Sequence, residues 1–259
     1  MIKLFLKKHL SKRVFKKILL SYNFFKIKIP MSIIGFFLRN NNPLKIGDLF
    51  IYLPKVKWHQ RGSYFFYDDY EKHERALIKK HIDSEDVVLE LGGSIGVVSC
   101  TINKLIKSKI NHIVLEPNPN LIYFLEKNKK INECDFKIEQ FILGNGKDYE
   151  FNVSKEFLSS SIYSSIDSTE KIHIKSIKLE DLENKYKTRF NTLIMDIEGQ
   201  ESEVLSKIDL SKFKKIIFEL HEDILDSNDV NNLKINLKEN NFMMLEKIDS
   251  VEYWKRNKL

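Results

Sequence analysis

Val87-Val88-Leu89-Glu90-Leu91-Gly92-Gly93-Ser94-Ile95-Gly96 is an apolar strand that ends in an acid and a glycine-rich turn, with a helical pattern behind it. Further along, Ile113-Val114-Leu115-Glu116-Pro117-Asn118 is a second apolar strand with a carboxylate at its carboxyl end. Strand, glycine turn, helix, strand and acid, in that order, describe a pocket for an adenosine-type cofactor at the edge of a parallel sheet. Gly92 and Gly93 let backbone approach a ligand where a Cβ would collide. Glu116 stands where a carboxylate can accept hydrogen bonds from both ribose hydroxyls.

Dinucleotide dehydrogenases need Gly-x-Gly-x-x-Gly, so that a pyrophosphate rests on a helix amino terminus. Counted from Gly92, that pattern meets Ser94 and Val97; counted from Gly93, it meets Ile95 and Val98. It fails in both registers. What stands here is Glu90-x-Gly92-Gly93-x-x-Gly96. An acid just ahead of the turn repels a pyrophosphate but suits the cationic amino-acid end of S-adenosylmethionine, so a methyl-donor pocket is favoured.

Strand and helix alternate around this run: helix 71–81, strand 86–91, helix 95–107, strand 112–116, helix 119–130 and strand 136–143. The alternation resumes with strand 192–197, helix 200–207, strand 214–220, helix 229–239 and strand 242–248. Such a pattern predicts an α/β fold with a mostly parallel central sheet flanked by helices. Short strands are expected near Phe50–Leu53 and Ser63–Tyr67, ahead of the core. Extended segments at Tyr149–Val153 and Lys171–Lys175 flank a serine-rich loop, Ser159 to Ser165, that reads as an acceptor-facing lid or a plain surface loop.

The chain has 259 residues and a net charge of +7, with 42% hydrophobic and 12% aromatic content, which suits one sizeable domain plus an appendage. Eleven Lys and Arg precede Asp48 with no acid among them, so the remainder carries −4. The basic character belongs to the amino-terminal segment. Asn40-Asn41-Asn42-Pro43 marks the boundary, giving a basic amphipathic extension over 1–43 and a catalytic domain over 44–259. In residues 1–20, apolar side chains at 2, 6, 10, 14 and 18 recur at helical spacing between lysine pairs. Lys7-Lys8 breaks up any signal peptide, and no window holds the roughly twenty apolar residues a membrane span needs. This basic helix can lie on an anionic membrane surface, bind an acidic partner, or simply pack on the domain. Nucleic acid is disfavoured, because the body is acidic and carries no aromatic-basic motif. Cys100 and Cys134 lie 34 apart, without Cys-x-x-Cys, and read as small buried hydrophobes in a reducing, cytoplasmic compartment.

A second constellation sits at the ends of the later strands. Leu193-Ile194-Met195-Asp196-Ile197-Glu198-Gly199-Gln200-Glu201 places two carboxylates at a strand's carboxyl end, and Phe218-Glu219-Leu220-His221 ends the next strand similarly. Ligands of open α/β sheets bind beyond those ends. Methyl transfer to a hydroxyl needs the oxygen deprotonated as it attacks, by a carboxylate or imidazole base or with the help of a divalent cation. His221 is the best-tuned single base, its unperturbed pKa being about 6.5. Asp196 and Glu198 can orient the acceptor, serve as base, or ligate a hard cation through oxygen. The other histidines form no metal-ligand spacing.

Taken together these motifs resemble the FkbM family of S-adenosylmethionine-dependent methyltransferases. The family's Tyr-Glu pair is Tyr70-Glu71 here, and its Asp-x-Gly-Ala-Asn-x-Gly turn is Glu90-Leu91-Gly92-Gly93-Ser94-Ile95-Gly96. Its acid-Pro-x-Pro element is Glu116-Pro117-Asn118-Pro119, and its Asp-x-Glu-Gly-x-Glu motif is Asp196-Ile197-Glu198-Gly199-Gln200-Glu201. The resemblance spans roughly residues 65 to 222 and departs mildly, at positions 90, 93 and 94. It implies a class I, Rossmann-like methyltransferase fold and O-methylation, often of sugars in surface polysaccharides or glycolipids. It also implies that Glu71, Glu90, Gly92, Gly93, Ser94 and Gly96 hold the amino-acid end of the cofactor. Glu116 would hold the ribose, Gln140 would stand near the adenine, and Asp196, Glu198 and His221 would face the acceptor. A divalent cation stays open, as does the oligomeric state. The rival expectation is a non-catalytic module of the same fold docked at a membrane surface, on its inner face, or at an assembly, through residues 1–20.

Overall fold

Strand-forming runs and amphipathic helices alternate through the chain, and a computed structural model describes how they assemble for residues 43–54, 70–154 and 168–257. The chain divides into two units, residues 1–42 with 55–69 and residues 43–54 with 70–259, and every described residue belongs to the second. The basic helix of residues 1–20, the asparagine boundary ahead of Pro43, the strand expected at 63–67 and the serine-rich loop at 159–165 lie outside the described residues.

A hairpin opens the unit, β1 (Leu44–Ile46) and β2 (Leu49–Ile51). Next come α1 (Lys72–His81), β3 (Val88–Leu91), α2 (Val97–Leu105), β4 (His112–Leu115), α3 (Pro119–Ile131) and β5 (Lys137–Glu139). An insert follows, made of β6 (Ile142–Leu143), β7 (Asp148–Ser154) and β8 (Ser168–Ile177), then α4 (Leu179–Tyr186). The second half runs β9 (Thr192–Met195), α5 (Glu201–Lys207), β10 (Lys215–Glu219), α6 (Ser227–Glu239), β11 (Phe242–Ile248) and β12 (Val251–Arg256).

Seven strands form the central sheet in the order β11-β12-β10-β9-β3-β4-β5. Neighbours from β10 to β5 are parallel, and β12 alone of the sheet runs against both of its neighbours. This is the Rossmann-like, doubly wound arrangement expected, and strand order reverses between β3 and β9, where such sheets open a crevice at their carboxyl ends. Each strand residue faces one layer or the other. Leu89, Leu91, Leu193, Met195, Ile216 and Phe218 pack with Leu182 of α4, Leu205 of α5 and Leu233 and Leu237 of α6. Val88, Ile194 and Ile217 pack with Leu77 and Ile78 of α1 and Val98 and Ile102 of α2.

Two expectations of element placement need correction. The single strand read over 136–143 is two: β5 pairs with β4 in the central sheet, whereas β6 pairs with β8 in a separate three-stranded sheet. Alternating residues report extended backbone but not which sheet receives it. The last strand is also not the one ending at Ile248, because β12 folds back from β11 and inserts beside β10. Asp249 turns that hairpin with a left-handed φ of 58°. The short helix α4 has no counterpart in the sequence reading.

The β1–β2 hairpin is tied to α3 by side chains that imitate a strand. Asn128 accepts from Tyr52 N at 2.6 Å and donates to Tyr52 O at 2.9 Å, and Asn132, one turn on, does the same for Phe50 at 2.9 and 2.8 Å. Asn128 also donates to the Ile95 carbonyl at 2.8 Å, so this docking reaches the glycine turn itself.

Candidate active site

The turn after β3 is shaped by close approach. Gly92 has φ +86°, and a Cβ there would land on the Asp196 carbonyl oxygen. A Cβ on Gly93 would strike the Val114 side chain and sit 3.2 Å from Leu125. Ser94 follows with φ 46°, a left-handed conformation that costs a non-glycine residue about 1–2 kcal/mol. Its backbone N–H donates to Glu116 Oε2 at 2.6 Å, and Asn118 N–H donates to Glu116 Oε1 at 2.8 Å. Glu116 is 4% exposed. Burial, offset in part by those two N–H groups, pushes its carboxyl up to about 7. Each carboxylate oxygen keeps a further lone pair for a ligand hydroxyl.

Glu71 also stands at φ 47°, and its carboxylate accepts from Val98 N–H, in the first turn of α2, at 3.1 Å. The buried Tyr70 beside it has side-chain hydrogen bonds with both Glu71 and Ser94, linking the Tyr-Glu pair to the turn. Burial and the neighbouring Glu74 charge hold Glu71 well above the ordinary carboxylate range. Glu90 lies differently from the other turn residues. It is 1% exposed; Ser99 Oγ donates to one oxygen at 2.7 Å and His112 Nε2 meets the other at 2.8 Å. Both of its oxygens are thus engaged beneath the turn, joining β3 to α2 and β4. Gln140 is exposed immediately beyond β5, whose last carbonyl, on Glu139, accepts from Glu116 N–H at 3.0 Å.

Across the strand-order reversal, Asp196 N–H donates to Leu91 O at 3.0 Å, which sets the acidic motif directly against the glycine turn. His221, just beyond β10, points its Nε2 at Asp196 Oδ1 (3.7 Å) and Glu198 Oε2 (3.6 Å). Its Nδ1 lies 2.9 Å from Glu201 Oε1, and that oxygen also accepts from Gly199 N–H at 3.1 Å. Glu198 is held at φ 52°. All three site residues expected at this end of the sheet therefore converge, with the fully buried Glu201 behind them.

Charge is unevenly balanced here. Burial pulls the His221 imidazole down, but the Glu201 hydrogen bond and the charges of Asp196, Glu201 and Glu198 outweigh it and raise it to about 10. The surrounding carboxylates therefore favour the imidazolium form of His221. Asp196 is raised well above the carboxylate range by burial and by Glu219, with His221 opposing. Its Oδ1 is buried without a hydrogen-bond partner. Glu74 of α1, buried against Asp196 and Glu219, is raised to about 8 chiefly by desolvation. Glu219 belongs to the strand-end acids read from the sequence, whereas Glu74 did not stand out, because it lies within a helix and only the tertiary fold brings it to the strand ends. Asp196, Glu198 and His221 form one group whose ligand atoms lie within 4.8 Å of one another, and Glu74, Asp196 and Glu219 form a second. Oxygen-rich sets of that kind suit a hard divalent cation.

The sequence profile of the methyltransferase FkbM domain matches residues 90–248. No curated protein matches the chain. Among solved structures, a ribosomal protein L11 methylase from Lactobacillus delbrueckii subsp. bulgaricus is 13% identical, covering 73% of this chain and 80% of that one at a TM-score of 0.46. A putative RNA methyltransferase from Pyrococcus horikoshii is 11% identical over 88% and 96%, with a TM-score of 0.45. M. capricolum TrmK, solved with S-adenosyl-homocysteine, is 14% identical over 70% and 65%, with a TM-score of 0.42. Among the described residues no helix is long and apolar enough to cross a membrane. The glycine turn, the acid-Pro element and the Asp196–Glu201 motif all fall within the matched segment, and the chain belongs to the FkbM family of S-adenosylmethionine-dependent methyltransferases.

Proposed function

We propose that the chain is an O-methyltransferase whose acceptor is a sugar hydroxyl, with Asp196 as the base. The observation that carries this reading is the half-buried Asp196 at the end of β9: its Oδ1 makes no hydrogen bond, and its backbone N–H to Leu91 O sets it against the glycine turn. The residues fit S-adenosylmethionine. Glu116 offers lone pairs to ribose hydroxyls and the surrounding carboxylates favour a cation, while Gly92 and Gly93 answer to close packing against Asp196 and Val114. When bound, the cofactor supplies an electrophilic methyl group. Glu71, Ser94 and Gly96 would grip its amino-acid end, with Gln140 near the adenine. Glu90 would support the turn from beneath.

Asp196 takes the acceptor's proton as its oxygen attacks. A carboxylate with raised pKa is a stronger base than an exposed one, which suits it to a weakly acidic hydroxyl. His221 faces Asp196 and Glu198, and its charge opposes the burial of Asp196 and favours the ionised carboxylate that acts as base. Glu198 and Glu219 accept hydrogen bonds from further hydroxyls, which suits a polyol. A phosphodiester acceptor would be repelled by the same acids.

A cation-assisted variant is favoured by one observation, the two ligand sets that share Asp196. A divalent ion there would acidify the hydroxyl in place of the base. The test is labelled methyl transfer to surface glycans and their precursors, with Asp196→Asn and with chelator. Lost transfer with retained S-adenosylhomocysteine binding in Asp196→Asn supports the proposal. Transfer that vanishes on chelation and returns with magnesium supports the cation. Turnover absent from the wild type with every acceptor favours a binding module, and loss of membrane sedimentation on deleting residues 1–20 would then identify its docking element.

A further inference from the structure

Cys100 and Cys134 stand 34 residues apart and read separately as small buried hydrophobes. The fold brings them together. Cys100 is buried in α2, and Cys134 is half-buried in the connector between α3 and β5. Cys134 Sγ lies 3.9 Å from the Cys100 carbonyl oxygen, which sets the two residues side by side. Further contacts steady both sulfurs: Cys100 Sγ to Asn128 O and Cys134 Sγ to Asn132 O, each at 3.6 Å.

The pair is also polarised. Lys104, Lys109 and Lys129 place positive charge around Cys134, and Lys109 Nζ is held beside it by a 2.7 Å hydrogen bond to the Glu133 carbonyl. The neighbouring thiol and these lysines hold Cys134 below the ordinary thiol range, while the same neighbour and burial push Cys100 up. Positive charge therefore gathers at the more accessible sulfur, an environment that makes a cysteine reactive.

We propose that Cys134 and Cys100 form a thiol-modification site at which a hydroperoxide oxidant closes a reversible intramolecular disulfide. The Cys134 thiolate attacks a peroxide oxygen; an S–O bond forms, the O–O bond breaks, and hydroxide or alkoxide leaves, giving a sulfenic acid. Cys100 sulfur then displaces the sulfenic oxygen. The S–S bond forms, the S–O bond breaks, and the Cys100 proton departs with that oxygen as water. Two electrons pass to the peroxide, one from each sulfur. Neither sulfur belongs to the donor or acceptor site, so this inference stands apart from the acceptor reading. The bridge would tie α2, one turn beyond Gly96, to the connector behind α3.

The full chain is treated with stoichiometric hydrogen peroxide, free thiols are alkylated, and tryptic peptides are mapped by mass spectrometry. The expected product joins the peptide ending at Lys104 to the one ending at Lys137, minus two hydrogens, and dithiothreitol reverses it. Closing a loop of this size should raise Tm by roughly 5–15 °C over the reduced form. Cys134→Ser should leave Cys100 fully alkylatable after peroxide, whereas Cys100→Ser should trap sulfenic acid at Cys134, detectable with dimedone. Should Cys100→Ser fail to fold, the wild-type map and Cys134→Ser still decide. Both thiols remaining alkylatable, oxidation of Cys134 to sulfinic acid with Cys100 free, or a disulfide between two chains would each overturn the proposal.

Discussion

Replacing Gly92 by alanine tests how tightly the glycine turn is pressed against the acidic motif that follows β9. The residue stands at φ +86°, and the added Cβ would meet backbone, the Asp196 carbonyl oxygen with its carbon 3.0 Å away, rather than a side chain that can rotate aside. Two costs combine. Left-handed backbone costs an alanine about 1–2 kcal/mol, and forcing the turn from the end of β9 adds about 1–3 kcal/mol. Gly146 separates them, since its φ is +88° while its nearest obstacle is Lys178 Cε at 3.7 Å. Gly146→Ala therefore carries the backbone cost alone. For a domain of this size each kcal/mol moves Tm by about 2–4 °C. Gly146→Ala should lower Tm by about 2–8 °C and leave S-adenosylhomocysteine affinity unchanged. Gly92→Ala should lower Tm by about 4–20 °C and weaken that affinity about 10–100-fold, because a shift near 1 Å displaces the turn from the ligand. Thermal unfolding and isothermal calorimetry on both variants read the two effects. Equal losses of stability, or unchanged affinity in Gly92→Ala, would refute the close-approach argument.

Three further outcomes are expected. Glu116 is raised to about 7, so the free protein holds a proton there at lower pH, whereas ribose hydroxyls donating to it favour the ionised form. S-adenosylhomocysteine affinity should consequently rise as pH climbs through 7, and Glu116→Gln should abolish that dependence and weaken binding about 10–100-fold; a flat wild-type profile would contradict it. The same raised pKa means the folded state binds this proton more tightly than the unfolded chain, so Glu116 lowers stability as pH rises from the unfolded value through 7. Urea unfolding of wild type and Glu116→Gln at pH 5 and 8 should show the variant's relative stability improving at the higher pH. Glu90→Gln should cost about 1–3 kcal/mol of stability through the buried His112 and Ser99 contacts, with a smaller change in cofactor affinity; a large affinity loss without destabilisation would return Glu90 to direct contact.

Much of the site was legible because its signals are local. The failed dinucleotide registers, the acids at 116, 196 and 198 and the histidine at 221 all sit where strands end, and strand ends are marked by where apolar runs stop. Backbone strain was not read from the sequence. Glu71, Ser94 and Glu198, all named from motifs, each adopt a left-handed backbone, as functional positions tend to. Charge states were not legible. His221 looked tuned near neutrality by its intrinsic pKa, yet three carboxylates around it raise it above that value.

The sequence by itself determined the class of the fold and the chemistry of the donor pocket, since both follow from periodicity and from glycines at short spacing. Tertiary structure alone decided which sheet received each half of residues 136–143, that β12 would reverse beside β10, and that Glu74 would join Asp196. It alone turned Glu90 beneath the turn and set Cys100 beside Cys134. The physical reason is common to all of these. Pairing partners, burial and the field at a titratable group are set by residues far away in sequence, and no local pattern carries that information.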